Sequence, residues 1–343
     1  DVNRKIQHRK EAIVLVIFII EGVTMMKKIM IGLLAVMLAM PAAASAETLT
    51  IGITKGSAIQ QGGAIVSRAV LADGKHKLIP VPHSSGKAYA LRVHKGQLDF
   101  GITSAAAPFW FRNASHGIST VKMDNIRMVA ALFDFESGLF VRESSGIKTH
   151  EDLKGKRIPG GYKVHPQMRL LMDKYLLAGC LSYDDVKVIP TANHKQAISL
   201  FKSDRIDALV GTAGAGYIRK FHATIPGGLR YIKMDPKGKC AEEAVKMYTA
   251  DAYDYVELKA DGKTVKEDIH VMRFAWVVWT HKDQSDDVVY DLVKAIYNGE
   301  KGIQKSPMAK NFVKERMGRY PSKMIPYHPA ALKALKELSL IHI

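Results

Sequence analysis

KLIPVPHSSGKAYALRVHKGQLDFGITSA, residues 77–105, is the stretch on which the fold turns. Leu78, Ile79 and Val81 read as a short buried strand. His83, Ser84, Ser85 and Gly86 follow as a small polar turn able to cap a helix, and residues 87–94 suit that helix. Lys95 and Gly96 make a tight turn. Leu98, Asp99, Phe100, Gly101 and Ile102 read as a second strand, ending in the polar loop Thr103, Ser104, Ala105. Two strand ends thus offer hydroxyls and backbone N–H groups beside a helix N-terminus, whose first N–H groups lack partners in the helix and carry partial positive charge. That corner suits an anion. Taken alone, it is most simply a βαβ unit with a capped helix, since caps are commoner than anion sites.

The stretch has an echo. Residues 98–105 align with Ile206, Asp207, Ala208, Leu209, Val210, Gly211, Thr212 and Ala213, and both segments follow a helix and a turn. Chance likeness between two βαβ units is one account. Two lobes of similar α/β build, each turning a strand-end loop towards one cleft, is the other; open α/β sheets bind ligands outside the carboxyl ends of their strands. Asp99 and Asp207, at matching places, then read as structural or capping residues in each lobe rather than an acid/base couple.

Outward from this pair, residues 48–54 alternate as a first strand that ends in Lys55, Gly56 and Ser57, and Ile65, Val66, Ala69 and Val70 follow at helical spacing. Residues 126–132 form an apolar strand; Asp134 to Ser137 reads as a break before a second one at 138–141, the pair crossing between lobes. Pro166 opens a helix with Met168, Leu171, Met172 and Tyr175 on one face. Asn193 caps another. Residues 271–280 are the longest strand-like run and the return crossing; Ser285 caps the helix after it. Phe109, Trp110 and Phe111 are read as packing of a short helix rather than a ligand clamp.

The chain has 343 residues, 50 of them Lys or Arg and 33 Asp or Glu. Met25, Met26, Lys27 and Lys28, the apolar run 29–40 and the small-x-small site Ala44, Ser45, Ala46 form a cleavable secretory signal, too short for a membrane span. No Cys stands at the cleavage point, so no lipid anchor is expected. Residues 1–24 read as non-native sequence upstream of the start. The remainder keeps a balance of +14. Its basic residues are spread out without interleaved aromatics, which argues against nucleic acid and leans towards an anionic ligand. Cys180 and Cys240 either pair, as an oxidising compartment allows, or remain separate thiols; their spacing does not decide. H-E-x-x-H and G-x-S-x-G are absent. Gly86-Lys87 fails as a P-loop, because Val81 stands in place of its first Gly and Ala88 in place of Ser or Thr. The 13 histidines show no metal-ligand spacing. No metal, cofactor or catalytic residue is expected.

The order of features resembles the TAXI family, the solute-binding proteins of TRAP-type secondary transporters. The carriers are Ser84-Ser85-Gly86, the 96–102 segment, Ser145-Gly146-Ile147 with Asp152-Leu153-Lys154-Gly155-Lys156-Arg157, Ser182-Tyr183-Asp184-Asp185-Val186, Ile225-Pro226-Gly227-Gly228 and Ile325-Pro326-Tyr327-His328-Pro329. The resemblance implies an α/β, two-lobed type II periplasmic-binding-protein fold with a ligand cleft between the lobes. It implies a non-enzymatic, monomeric periplasmic protein that hands a small organic anion, a carboxylate or amino-acid-like molecule, to a TRAP-type membrane permease. A binding protein for an ATP-driven importer, a sensor subunit, or a secreted enzyme with His165 as base are the alternatives. Where the family's first loop reads Gly-Thr-Tyr-Tyr, this chain has Gly56, Ser57, Ala58 and Ile59, which keeps the hydroxyl and loses the aromatics. Lobe 1 is expected at 47–136 with a return part at 271–340, lobe 2 at 137–270, and 341–343 as a non-native tail. The expected ligand contacts are Gly56, Ser57, Ser84, Ser85, Gly86, Thr103 and Ser104 from lobe 1. From lobe 2 they are Tyr162, Val164, His165, Gly211 and Thr212.

Overall fold

The computed structural model describes residues 47–55, 58–163, 165–212, 215–249 and 251–341, and only the backbone of Tyr217. The upstream segment, the signal sequence, Gly56, Ser57 and Val164 lie outside the described residues. In chain order the first elements are β1 (Glu47–Thr54), α1 (Ala58–Asp73), β2 (His76–His83), α2 (Gly86–His94), β3 (Phe100–Ser104) and α3 (Ala106–Asn113), followed by β4 (Ile126–Arg142). Next come β5 (Arg157–Gly161), α4 (Pro166–Ala178), β6 (Lys187–Thr191), α5 (His194–Lys202), β7 (Ala208–Thr212), α6 (Gly216–Thr224), β8 (Leu229–Tyr231), α7 (Ala241–Lys246) and β9 (Asp254–Leu258). The chain then returns through β10 (Ile269–His281), α8 (Asp286–Asn298), α9 (Glu300–Gln304) and α10 (Pro329–Glu337).

One sheet runs β2-β1-β3-β10-β4-β7, with β8 on β4 and β9 on β10. β1 lies parallel to β2 and β3, as βαβ connections require, while β10 runs antiparallel to β3 and β4. β5 and β6 form a parallel pair of their own. Two hydrophobic cores follow. One gathers Ile51, Val66, Phe100, Trp110, Phe133 and Trp279 among others. The second gathers Leu139, Phe140, Tyr175, Phe201, Leu209 and Tyr231. Along β4 the membership changes between Phe133 and Leu139, and along β10 between Met272 and Ala275. Two lobes joined by two crossing strands are the result.

The echo is structural. β3 and β7 are both five residues long, begin 108 residues apart and share one burial pattern, four buried residues then a half-buried hydroxyl. Asp99 Oδ2 accepts from the Thr50 backbone N–H at 2.8 Å, and Asp207 Oδ2 accepts from the Arg157 backbone N–H at 2.6 Å. Asp99 thereby ties the start of β3 to its parallel neighbour β1, and Asp207 ties the start of β7 to the first residue of β5. This use of Leu98 and Asp99 in the turn is also why β3 begins at Phe100 rather than Leu98.

Two local readings change and an open one is decided. Asp134 to Ser137 is no break: β4 runs unbroken for 17 residues and is longer than the 13-residue β10. Asp134 reads as a breaker only while its charge is unpaired. Here the carboxylate meets Arg316 and Arg319, each at 2.5 Å, while Phe135 pairs with Phe274. Ser285 precedes α8 without a side-chain capping bond, and its own N–H donates to Gln284 Oε1 at 2.9 Å. Cys180 and Cys240 are joined, with Cα atoms 5.4 Å apart. The disulfide fixes the start of α7 to the end of α4.

Candidate functional site

The lobe 1 wall is the carboxyl edge of β2 and β3. Ser85 is the N-cap of α2; its Oγ accepts from the Ala88 N–H at 3.3 Å, and Gly86 opens the helix. Ser84 is exposed and Ser85 half-buried. Ala88 N–H also reaches Ser85 O at 3.2 Å, which leaves the Gly86 and Lys87 N–H groups as the first-turn donors of α2 without an intrahelical acceptor. Thr103 and Ser104 divide their roles. The Thr103 hydroxyl accepts from Trp279 Nε1 at 3.0 Å inside the core, whereas Ser104, half-buried, ends β3 opposite Trp276. Gly101 leaves room for the same tryptophan, since a Cβ there would sit 2.3 Å from the Trp279 ring.

The lobe 2 wall repeats the plan. Gly211 and Thr212 end β7, in register with Gly138 and Ser137 of β4. Tyr162 follows β5 with φ +42, a left-handed conformation unusual for tyrosine. Its N–H donates to Thr191 O at 2.7 Å, and its carbonyl accepts from the His165 N–H at 3.0 Å. The ring is fully buried in the lobe 2 core, its hydroxyl without a hydrogen-bond partner among the described residues. Burial pushes that phenol up. His165 is the N-cap of α4, and burial lowers its pKa. His194, first residue of α5, is lowered to about 4, by burial first and then by His165 nearby. Both imidazoles are thus neutral at pH 7 and add no formal charge to this wall.

The two walls meet at Gly86 and Gln167. A Cβ on Gly86 would lie 3.5 Å from the Phe111 ring and 3.7 Å from both Gln167 Nε2 and the Tyr89 hydroxyl. The first turn of α2 and the first turn of α4 therefore face each other across the join. Deeper on α4, Leu170 belongs to the lobe 1 core although the helix belongs to lobe 2. Beneath lies an aromatic row on the crossing strands. Trp276 stacks on Phe135 at 4.8 Å with planes 2° apart, Phe135 neighbours Phe274 at 5.7 Å, and Phe274 reaches Tyr253 at 5.4 Å. The Trp276 ring touches Gly62 in the first turns of α1, at the carboxyl end of β1.

Gln167 and the aromatic row were invisible as site residues in the sequence. Gln167 stands one residue after a helix-opening proline, where any polar residue is acceptable. Trp276 reads as strand core, and only the three-dimensional pairing of β10 with β3 and β4 puts it beside strand ends.

Two α/β lobes joined by crossing strands, with strand ends and helix N-termini turned to the join, are the build of the periplasmic binding proteins. PhnD1 from Prochlorococcus marinus, solved with methylphosphonate, is 13% identical, with 86% of this chain and 99% of that chain covered at a TM-score of 0.51. A TctC solute-binding protein from Polaromonas is 13% identical, over 88% and 100%, at 0.50. MatC from Rhodopseudomonas palustris, solved with malate, is 12% identical, over 85% and 97%, at 0.51. At such identities the likeness is one of fold. Residues 60–338 match the NMT1-like family, and the chain belongs to that family.

Proposed function

We propose that this protein is the extracytoplasmic substrate-binding subunit of a TRAP-type, ion-coupled transporter of the TAXI kind. It captures a small organic anion and delivers it to a membrane permease without chemical change. The observation that carries this reading is the opposition of Gly86 and Gln167, which sets the N-terminal turns of α2 and α4 against one join from different lobes. A carboxylate placed there takes first-turn N–H groups from α2 and the Gln167 N–H from α4, whose Pro166 has none and whose Met168 N–H bonds His165 O at 2.9 Å, and a ligand drives closure only when both lobes touch it. Ser84, Ser85, Gly86 and Ser104 serve lobe 1, as do Gly56 and Ser57. His165, Gly211 and Thr212 serve lobe 2 with Val164 and the Tyr162 hydroxyl. Gln167 joins them, and Phe135, Phe274 and Trp276 supply an apolar floor. The lobes, 47–136 with 271–340 against 137–270, move about the crossing of β4 and β10. The signal sequence at 25–46 exports the chain. Among the described residues no helix is long and apolar enough to cross a membrane.

A thermal-shift screen of mono- and dicarboxylates and amino acids tests this, followed by calorimetry and mass spectrometry of the recovered ligand. A ligand at 100 times its dissociation constant adds about 2.7 kcal/mol. At least one carboxylate is expected to stabilise the protein and to be recovered intact. Stabilisation by sugars or cations alone would sink the anion site, and turnover of the ligand would point to the enzyme reading.

A further inference from the structure

We propose that residues 240–249, with Asp251 and Ala252 after them, form a strap that holds the two lobes closed, and that Tyr248 is its clasp. The strap is anchored in lobe 2 at three points. Cys240 is bonded to Cys180 just beyond α4. Lys174 of α4, with a fully buried side chain, donates to the carbonyls of Ala244 at 3.2 Å, Val245 at 3.0 Å and Met247, and its Nζ lies 4.2 Å from the Tyr253 ring centroid. Three carbonyls match the three protons of an ammonium, so the end of α7 is held on one point of α4. Tyr255 adds a hydrogen bond from its hydroxyl to Ala241 O at 2.8 Å.

From these anchors the strap reaches lobe 1. The Tyr248 carbonyl accepts from Trp110 Nε1 of α3 at 3.4 Å, and its ring lies 4.8 Å from that of His116, which in turn meets Trp110 edge-on at 6.5 Å. Asp251 pairs with Lys323 at 3.2 Å, and Ala252 is buried in the lobe 1 core. The Tyr248 hydroxyl, meanwhile, donates to Asp173 Oδ2 of α4 at 2.7 Å. One residue thus holds lobe 2 with its hydroxyl while its ring and backbone carbonyl hold lobe 1. Tyr248 and Asp251 both have left-handed backbones, φ +64 and +67, a conformation that non-glycine residues keep only where the surroundings impose it. Asp173 stands on the stripe of α4 that also carries Gln167 and Leu170, so the clasp and the opposed helix N-termini sit on one helix face. Releasing Tyr248 frees that face from α3 and opens the join.

The test needs no ligand and therefore stands apart from the transport reading. Spin labels on genetically encoded ketone side chains at Lys77 of β2 and Lys187 of β6, both exposed, report the distance between lobes with the disulfide intact. The unliganded wild type is expected chiefly at the short distance. Tyr248→Phe, which removes a single oxygen, is expected to raise the open-to-closed ratio about tenfold, the effect of one hydrogen bond to a carboxylate. Trp110→Phe is expected to act in the same direction. Tyr248→Phe combined with Asp173→Ala is expected to open no further than either alone, because both break one bond. A wild type already chiefly open, or a Tyr248→Phe protein with unchanged distances, overturns the clasp. Distances that stay single and short in every variant overturn the two-lobe hinge together with the clasp.

Discussion

Asp134 lends itself to a direct test of what holds the crossing strands. It is 5% exposed, on β4 where the two cores meet, and three arginines surround it. Arg316 and Arg319 approach its carboxylate to 2.5 Å, and Arg273 of β10 stands 4.0 Å away while pairing with Asp254. Burial and then the charge of Arg319 lower the Arg316 guanidinium, with Asp134 opposing them, as expected where one carboxylate serves several cations. Asp134→Ala removes the counter-charge and leaves Arg319 desolvated. Breaking a buried ion pair from one side costs about 3–5 kcal/mol, and the partial exposure of Arg316 screens part of that, so a loss of about 3 kcal/mol is expected. Asp134→Asn keeps an acceptor oxygen and is expected to lose about half as much. Adding Arg319→Met to Asp134→Ala is expected to recover stability, because the unpaired charge goes too. Urea unfolding of the oxidised protein measures all three. A loss under about 1 kcal/mol for Asp134→Ala, or a double variant no more stable than the single, would refute the view that desolvated charge dominates here.

The Cys180–Cys240 bond spans 60 residues, and the loop-entropy relation puts its removal at about 4 kcal/mol. Unfolding free energies from urea titrations of Cys180→Ser/Cys240→Ser and of the reduced wild type should fall together by that amount, and a loss below about 1 kcal/mol would contradict it. Burial raises the Asp207 carboxyl, but the hydrogen bonds and charge of Arg157 outweigh it and leave the group below the ordinary carboxylate range. Its contribution is therefore full above the unfolded value and lost as pH falls through the folded one. The stability gap between wild type and Asp207→Asn should be widest near neutrality and close in acid; a gap independent of pH would count against the pair. Gly86→Leu fills the space before Gln167, and calorimetry should show carboxylate binding lost while the unfolding free energy from urea stays within about 1 kcal/mol, whereas retained affinity would clear this corner of a role.

Periodic and repeated features were readable before any coordinates. The β3/β7 echo depends on strand alternation and on one aspartate per lobe bonding back to the backbone of another strand, and such local patterns leave a mark in the residue order. The helix starts at Ser85, Pro166 and Asn193 were legible for the same reason. What escaped is pairing at long range. Asp134 looks like a strand breaker until arginines some 180 residues on neutralise it. Thr103 and Ser104 look alike until Trp279 claims the first hydroxyl. Lys174, central on an amphipathic helix, gives no sign that it meets the end of α7 rather than water. Each depends on the partner's position, which no periodicity within the segment encodes.

The crossing itself shows where movement can enter. β4 and β10 pair directly only down to Phe135 and Phe274. Beyond that point both change partners: β4 pairs with β7 from Ser137, and β10 pairs with β9 from Arg273. Above it the lobe 1 halves are stapled from behind. The Ala275 N–H leaves the ladder at a register shift and donates to the Tyr320 hydroxyl at 2.9 Å, while its carbonyl accepts from Ala105 N–H. Asn311 holds Asp134 O at 3.1 Å, and Met317 O takes the Ala131 N–H at 2.8 Å. Bending within this stapled stretch would break several backbone bonds at once, each costly when buried. Bending at the change of partners, around Glu136 on one strand and Arg273–Phe274 on the other, breaks none of the ladder bonds that define either lobe. The aromatic row of Trp276, Phe135 and Phe274 spans that same point, so a molecule resting on it would lie over the place where both strands change partners.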